Sequence, residues 1–395
     1  MKLLVIGAGM MGSAAAYDMA RSHAVESVTL ADTDKKRAKQ AAARVNKLAG
    51  GDKVEAVELD ASRPKDARKL MSKHDAALSC VPYFFNLELA KAAVDAECHF
   101  ADLGGNNRIV RQELELGSKA EKRGVAIAPD CGLSPGMASI LAGELMRRIG
   151  SKAEALKIYV GGLPVEPRQP FQYQLVFSVE GLINEYAEPA KVLRNGKMTT
   201  IEPLSEVETF RMRDLPPLEA FHTSGGTSTL PETFAGKVGE CFEKTLRYRG
   251  TLPYIKALYD FGFFSNEKLR IGKAEVSPRE ITSRLMTEKL AGSAADITVM
   301  RIEAHERQPR GLRGLMAAKR TPRVLAFSMV DRYDSKTGMT SMMRTTAWPA
   351  SVVVQMLASG EISKRGGIRQ ELDVPAESFL NAMHARGIEI AFEDR

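Results

Sequence analysis

The stretch that decides the fold is Met1 to Asp32, MKLLVIGAGMMGSAAAYDMARSHAVESVTLAD. Met1–Ile6 is a short apolar run with β-branched content and reads as a strand. It passes directly into Gly7-Ala8-Gly9-Met10-Met11-Gly12, and a helix-compatible stretch, Ser13–Arg21, follows. A second apolar run, Val25–Ala31, ends in Asp32, 20 positions past Gly12. A lone G-x-G-x-x-G is weak evidence. One that leaves a strand, opens a helix and meets an acid at this distance is specific. Gly7 permits the tight turn, Gly9 lets the backbone approach a pyrophosphate, and Gly12 lets helix and strand pack closely. The free N–H groups of the helix start, at the positive end of its dipole, suit phosphate charge. Asp32 is placed to accept hydrogen bonds from a ribose. An ordinary strand-turn-helix that uses glycine for packing alone would not need all these features in register. The stretch predicts a dinucleotide site.

A chain of 395 residues allows two or three domains and a sizeable core. Its 44% hydrophobic and 27% charged content is that of a globular protein. No apolar run approaches the roughly 20 residues that span a bilayer, so no membrane partner is expected. The opening strand lacks the zones of a secretory signal. Cys80, Cys98, Cys131 and Cys241 are scattered, with no C-x-x-C pair. That argues against a disulfide framework and a zinc site, and points to a reducing, cytoplasmic setting. The net charge of +7 is spread among acids, without the concentrated basic patch that nucleic-acid binding requires.

Beyond Asp32 the chain alternates. Helical patterns fall at Thr33–Leu48, Pro64–Lys73, Asn86–Ala96 and Glu113–Arg123, and strands at Val54–Leu59, Ala76–Val81, Cys98–Leu103 and Val125–Pro129. Such alternation predicts an α/β, Rossmann-type, doubly wound parallel sheet over residues 1–130. Ligands of such sheets lie beyond the carboxyl ends of the strands. The expected cofactor contacts are therefore Gly7, Gly9, Met10, Met11, Gly12, Asp32, Asp60, Ala61, Cys80, Val81 and Pro82, with Asp102 nearby. Asp32 repels a 2′-phosphate and favours NAD. Lys35, Lys36 and Arg37 lie close enough to admit NADP, although a solvated helix face would carry the same three cations.

Past Asp130 the alternation stops, and residues 131–345 predict an α+β second domain with a mostly antiparallel sheet. Its strand candidates are Leu156–Val160, Phe171–Ser178, Val192–Arg194, Thr199–Glu202, Val207–Met212, Glu219–His222, Lys244–Tyr248, Asp296–Ala304 and Val324–Tyr333. Helices are expected at Met137–Ile149, Ile183–Tyr186, Pro253–Tyr259 and Pro278–Lys289. Residues 346–395 carry two terminal helices, Trp348–Gly360 and Ala376–Arg386, expected to return to the first domain.

Cys131 follows Asp130 on a turn-rich loop at the end of the last cofactor-domain strand. It could line a substrate site, or be a small buried thiol. Asp102 ends the strand F-A-D-L and could orient or deprotonate an amine, or simply cap a turn. These two are the catalytic candidates. Strand periodicity puts Thr245 and Arg247 on one face, where a guanidinium beside a hydroxyl can clamp a carboxylate. His222, in the polar loop Phe221–Thr227, is the histidine assigned to substrate binding. There is no G-x-S-x-G elbow, and no His or Cys spacing suggests a metal.

Taken together, LLVIGAGMMG, FADLGGNN, PDCGLSPGM, YVGGLP, GLINEYAEPAKVLRNGK, LEAFHTSGG, KTLRYRG and MTSMMRTTAWPAS resemble the saccharopine dehydrogenase family, and most of all its L-lysine 6-dehydrogenase branch. The resemblance implies a Rossmann domain, an α/β substrate and dimerisation domain, a homodimer, and NAD(P)-linked oxidation of an amino-acid C–N bond. In the resembling saccharopine reductases the positions of Asp102 and Cys131 line the substrate site beside the nicotinamide, and the KTLRY strand forms the far wall. The expectation is NAD-dependent oxidative deamination of L-lysine at its ε-amine, with Arg247 and Thr245 on the α-carboxylate. The nearest alternative is a saccharopine dehydrogenase, whose tricarboxylate substrate demands further cations. A non-catalytic NAD-binding protein is the remaining one.

Overall fold

Leu3, Leu4, Val5 and Ile6 are almost wholly shielded from solvent, because the strand they form is flanked on both edges. The computed structural model describes residues 1–150, 152–292, 295–307 and 322–395. Strands β1 (Lys2–Ile6), β2 (Ser27–Asp32), β3 (Val54–Glu58), β4 (Ala76–Ser79), β5 (His99–Asp102) and β6 (Ala126–Ala128) build a parallel sheet. A seventh strand in it comes from far along the chain. The order is 366–367, β6, β5, β4, β1, β2, β3. The direction of winding reverses at β1, which places the glycine loop at the topological switch point where doubly wound sheets bind ligands. Leu4, Leu78 and Phe100 are fully buried, and Leu4 and Phe100 share one core with Leu89, Val94 and Ile127.

The helices lie close to where the pattern places them, with one correction. Glu113–Arg123 is not one helix but two, Asn107–Glu115 and Gly117–Lys122. The first begins early because the Asn106 side chain accepts from the N–H groups of Arg108 and Ile109. At the break, a Cβ on Gly117 would come within 2.9 Å of the Gly367 nitrogen. Gly366–Gly367 pairs in parallel with β6, and nothing local marks so short a strand.

The chain divides into two compact units, Met1–Glu144 with Met343–Glu389, and Leu145–Met342 with Ile390–Arg395. In the first unit, Asp18 of the helix Met10–Arg21 accepts hydrogen bonds from Ser351 Oγ at 2.7 Å and Arg386 Nε at 2.6 Å. The late helix Ser341–Ser359 supplies the first donor, and the second follows directly on the helix Ala376–Ala385.

The second unit is organised on β7 (Ala153–Pro164), β8 (Ala190–Arg194), β9 (Lys197–Ile201), β10 (Glu208–Phe210), β11 (Leu218–His222) and β12 (Val238–Tyr248). Asp296–Glu306, Val324–Arg332 and Ala391–Asp394 complete a nine-stranded sheet in the order β10, β11, β12, β7, 296–306, 324–332, 391–394, with β8 attached to β12 and β9 to β8. All its pairings are antiparallel except β12 with β7. The glycine pair of YVGGLP serves packing here. A Cβ on Gly161 would meet Leu246 at 2.7 Å, and one on Gly162 the Met342 methyl at 2.5 Å. Phe171–Ser178 is not a strand. Its apolar alternation is satisfied by burying Tyr173 and Val176 individually, and its backbone bonds to Leu290 rather than to a ladder.

Candidate functional site

The glycine loop has the form that the motif demands. Gly7 has φ +103°, and its N–H bonds to the Ala31 carbonyl at 2.7 Å. A Cβ there would press on the Cys80 carbonyl at 2.8 Å. A Cβ on Gly12 would stand 1.7 Å from the Gly7 carbonyl oxygen, so the helix can approach the strand only with glycine at this position. Gly9 is different, because nothing lies within 4 Å of where its Cβ would be. That open side, with no side chain capping the helix Met10–Arg21, leaves the first-turn N–H groups for an anionic group. Met10 is exposed and Met11 half-buried beside it. These residues fit a dinucleotide pyrophosphate.

Asp32 is almost buried. One oxygen accepts from the Ala8 N–H at 2.8 Å, and the other from the Asp34 N–H at 2.9 Å and Arg37 Nη2 at 2.5 Å. Burial opposes ionisation, but the Arg37 bond and the two N–H donors outweigh it and hold the carboxyl below its ordinary pKa. Arg37 is therefore not simply part of a solvated face. Its partner is the very acid that would face a ribose. Asp60 is half-buried in a turn closed by its bonds to the Ser62 N–H and Oγ, and Ala61 is buried beside it. Cys80, Val81 and Pro82 follow β4, and the Cys80 N–H bonds to the Ile6 carbonyl at 2.7 Å.

Ile6 is in register with Ser79, and Ser79 with Asp102. Asp102 thus lies at the carboxyl edge two strands from β1, about 10 Å away at ordinary strand spacing. It has no exposed surface. Its Oδ1 accepts from the Gly104 N–H at 2.6 Å and the Asp130 N–H at 3.3 Å. Glu113 reaches the same carboxyl, and burial pushes Asp102 up to about 6. Enclosed in this way, Asp102 presents no exposed base and bonds the N–H groups of two turns, as a capping residue does.

Cys131 is also enclosed. Its Sγ–H donates to the Ala128 carbonyl at 3.1 Å, and Sγ accepts from Gln370 Nε2 at 2.9 Å. Burial, and then the negative charge of Asp102, push the thiol well above its ordinary pKa, so Cys131 is no nucleophile. The thiol is buried beside Asp102 and Gln370.

In the second unit the period of two on β12 sets Glu243, Thr245 and Arg247 on one side, against the helix Val179–Ala187. Thr245 Oγ1 and Thr223 Oγ1 are 2.7 Å apart, and Thr223 donates to Glu243 Oε2 at 3.1 Å. Arg247 is 2% exposed and already engaged. Its Nε donates to the Tyr186 hydroxyl at 3.0 Å, its Nη1 to the Leu246 carbonyl at 3.0 Å, and its Nη2 faces Glu185 Oε2 at 3.6 Å. The rings of Tyr173 and Tyr186 lie 4.7 and 5.8 Å from the guanidinium carbon. A guanidinium so placed cannot serve as a free carboxylate clamp without displacing a partner. Burial raises Glu185 to about 7 and Glu243 to about 8, the nearby Arg247 working against both shifts. Glu185 is the opening in this cluster, with 30% of its side chain exposed. The Tyr173 hydroxyl is buried with no hydrogen-bond partner among the described residues.

His222 departs from expectation. It ends β11, has no exposed surface, and its ring nitrogens face the Glu243 carbonyl and the Glu206 carboxylate, each at 3.1 Å. It ties strands together instead of lining an open wall. The loop after it is packed down as well. The Ser224 N–H bonds to the Glu185 carbonyl, and a Cβ on Gly226 would strike Glu243 Cγ at 2.6 Å.

The residues that sequence reasoning passed over are Glu113, Glu185, Glu243 and Gln370. Glu185 lies four residues before Pro189 in a helical stretch, and Glu243 lies in period with Thr245 and Arg247, which was the available signal for it. Glu113 and Gln370 carried none.

Comparison with known proteins agrees with this architecture. Residues 3–128 match the model of the saccharopine dehydrogenase NADP binding domain, and residues 132–388 that of the saccharopine dehydrogenase C-terminal domain. The L-glutamate-forming, NADP(+)-linked saccharopine dehydrogenase of Pyricularia oryzae is 24% identical over 62% of this chain and 56% of its own. The alpha-aminoadipic semialdehyde synthase of Arabidopsis thaliana is 24% identical over 83% of this chain and 38% of its own. The chain thus spans about half or less of the curated relatives it matches. The fold of the Saccharomyces cerevisiae saccharopine dehydrogenase (L-Glu forming) superposes with a TM-score of 0.78 at 17% identity, covering 100% of this chain and 99% of that one. With both of its domains matched in order across nearly the whole sequence, the chain belongs to the saccharopine dehydrogenase family.

Proposed function

We propose that this protein is an NAD(P)-dependent oxidoreductase that oxidises the C–N bond of an amino acid, with the ε-amine of L-lysine as the preferred site. The family supports the reaction class. The balance of charge in the second unit supports the choice of substrate: around the buried guanidinium of Arg247 stand the carboxyls of Glu185 and Glu243. A tricarboxylate such as saccharopine calls for surplus cations, whereas an ammonium suits the partly open Glu185. With a pKa of about 7, Glu185 is matched to hold a cationic amine and to accept its proton near neutral pH.

When bound, the nicotinamide supplies the hydride acceptor. The helix start at Gly9–Gly12 holds the pyrophosphate, and Asp32 orients the ribose, with Arg37 beside it to tolerate a 2′-phosphate. Asp102 fixes the two strand-end turns at Gly104 and Asp130 through their N–H groups. Cys131 contributes shape.

The test is reduced-nicotinamide formation with L-lysine, saccharopine and a panel of other amino acids, each with NAD and NADP. Turnover with lysine alone establishes the substrate. Turnover with saccharopine keeps the reaction class and discards the charge argument. Silence with all of them, while the dinucleotide still binds by calorimetry, favours a non-catalytic binding protein.

A further inference from the structure

Glu113 is fully buried on the helix Asn107–Glu115, and the reaction proposed above makes no use of it. Among the described residues, neither of its carboxyl oxygens receives a hydrogen bond from any donor, and neither does Oδ2 of Asp102. Yet the two carboxyls lie within hydrogen-bond reach of each other, away from water. Two buried carboxylates in contact would repel strongly and leave three oxygens unsatisfied. A proton on one of them removes the conflict, because its O–H then donates to the other group. The titratable groups that act on the pair include acids and thiols: Asp130 and Cys131 follow β6, and Cys80 follows β4, and Asp130 adds to the charge that Glu113 meets.

We propose that Glu113 and Asp102 form an acid–carboxylate pair that holds one proton through the neutral range, with Glu113 as donor and positioning residue for the Asp102 carboxylate. Asp102 in turn accepts the N–H groups of Gly104 and Asp130, so the pair locks two strand-end turns at the carboxyl edge of the Rossmann sheet. Those turns fit tightly. Gly104 has φ +75°, Asp130 has φ +59°, and a Cβ on Gly104 would stand 1.8 Å from Asp130 Oδ1. The pair belongs to the fold of the first unit and does not depend on which amine is oxidised.

Burial, and then the charges of Asp102 and Asp130, push Glu113 up to about 11. An acid whose pKa is raised by folding contributes stability that is complete below its unfolded pKa, and that drains away as pH rises toward the folded value.

The test compares the native chain with Glu113→Gln, whose amide still donates to Asp102 but cannot ionise. The native melting temperature should fall between about pH 6 and about pH 10, and the variant should lose roughly half as much or less. The native-minus-variant infrared spectrum at about pH 9 should show the carbonyl stretch of a protonated carboxylic acid. Parallel melting slopes, or no such band, would overturn the pair. Should Glu113→Gln fail to fold, the pH course of that band in the native chain decides. Persistence to about pH 9 supports the pair, and loss near the ordinary carboxyl range of about 4 sinks it.

Discussion

Nη2 of Arg37 lies 2.5 Å from Oδ1 of Asp32, while Oδ2 of the same carboxylate takes the N–H of Ala8 in the glycine loop. The cation suited to a 2′-phosphate is therefore held by the anion that would repel it, and the two residues together set cofactor preference. Losing charged hydrogen bonds to the ribose, worth about 1.5–3 kcal/mol, Asp32→Ala should bind NAD at least about tenfold more weakly and narrow the gap to NADP. Arg37→Ala should weaken NADP and leave NAD within about threefold. Calorimetric titration of both dinucleotides checks this. An unchanged NAD to NADP ratio in both variants removes the pair from ribose recognition.

Cys131 should be chemically silent. With its thiol donating to the Ala128 carbonyl and its pKa raised, the folded protein should resist alkylation at this position, and Cys131→Ala should keep turnover within about fivefold. The measurement is mass spectrometry of alkylated protein beside steady-state rates. Rapid native labelling at Cys131 with loss of turnover would restore it as a reactive group.

Truncating Arg247 removes a cation that acts on both Glu185 and Glu243, together with its bond to Tyr186. Breaking such a buried arrangement costs about 3–5 kcal/mol, so Arg247→Ala should melt well below the native protein. Arg247→Lys keeps the charge and should recover part of the loss, though not the Tyr186 geometry. Thermal melts of both variants test it. A native-like melt for Arg247→Ala, with only the amino-acid KM raised, would return Arg247 to the role of substrate clamp.

Glu185, at about 7, and Glu243, at about 8, are acids raised by burial. Their contribution to stability is complete below the unfolded carboxyl pKa and declines as pH rises through 7 and 8. Amine binding runs the other way, since only ionised Glu185 attracts an ammonium. The KM for the amine should fall as pH rises through about 7, and Glu185→Gln should flatten that dependence while leaving the dinucleotide KM unchanged. A pH profile of KM that is the same in Glu185→Gln and the native enzyme would exclude Glu185 from amine recognition.

The Rossmann half was legible because its evidence is local. Strand, glycine loop, helix and Asp32 fall within the first 32 residues, and each obeys a backbone rule that needs no distant partner. Gly12 could be assigned by spacing alone, and the 1.7 Å clash of its hypothetical Cβ gives the physical reason. The period of two on β12 likewise placed Thr245 and Arg247 on one side.

Tertiary structure alone decided what those side chains meet. Glu113 reads as an ordinary polar position in a charged helix until the fold brings its carboxyl to Asp102. Gln370 reaches Cys131 across 239 positions of chain. Arg247 looks like a free clamp until Glu185, Tyr173 and Tyr186 surround it, and His222 looks like a loop residue until the register of β11 on β12 buries it. The cause is common to all four. Backbone geometry depends on near neighbours and shows in the sequence, whereas the ionisation and availability of a side chain depend on desolvation and on partners that only the closed fold supplies.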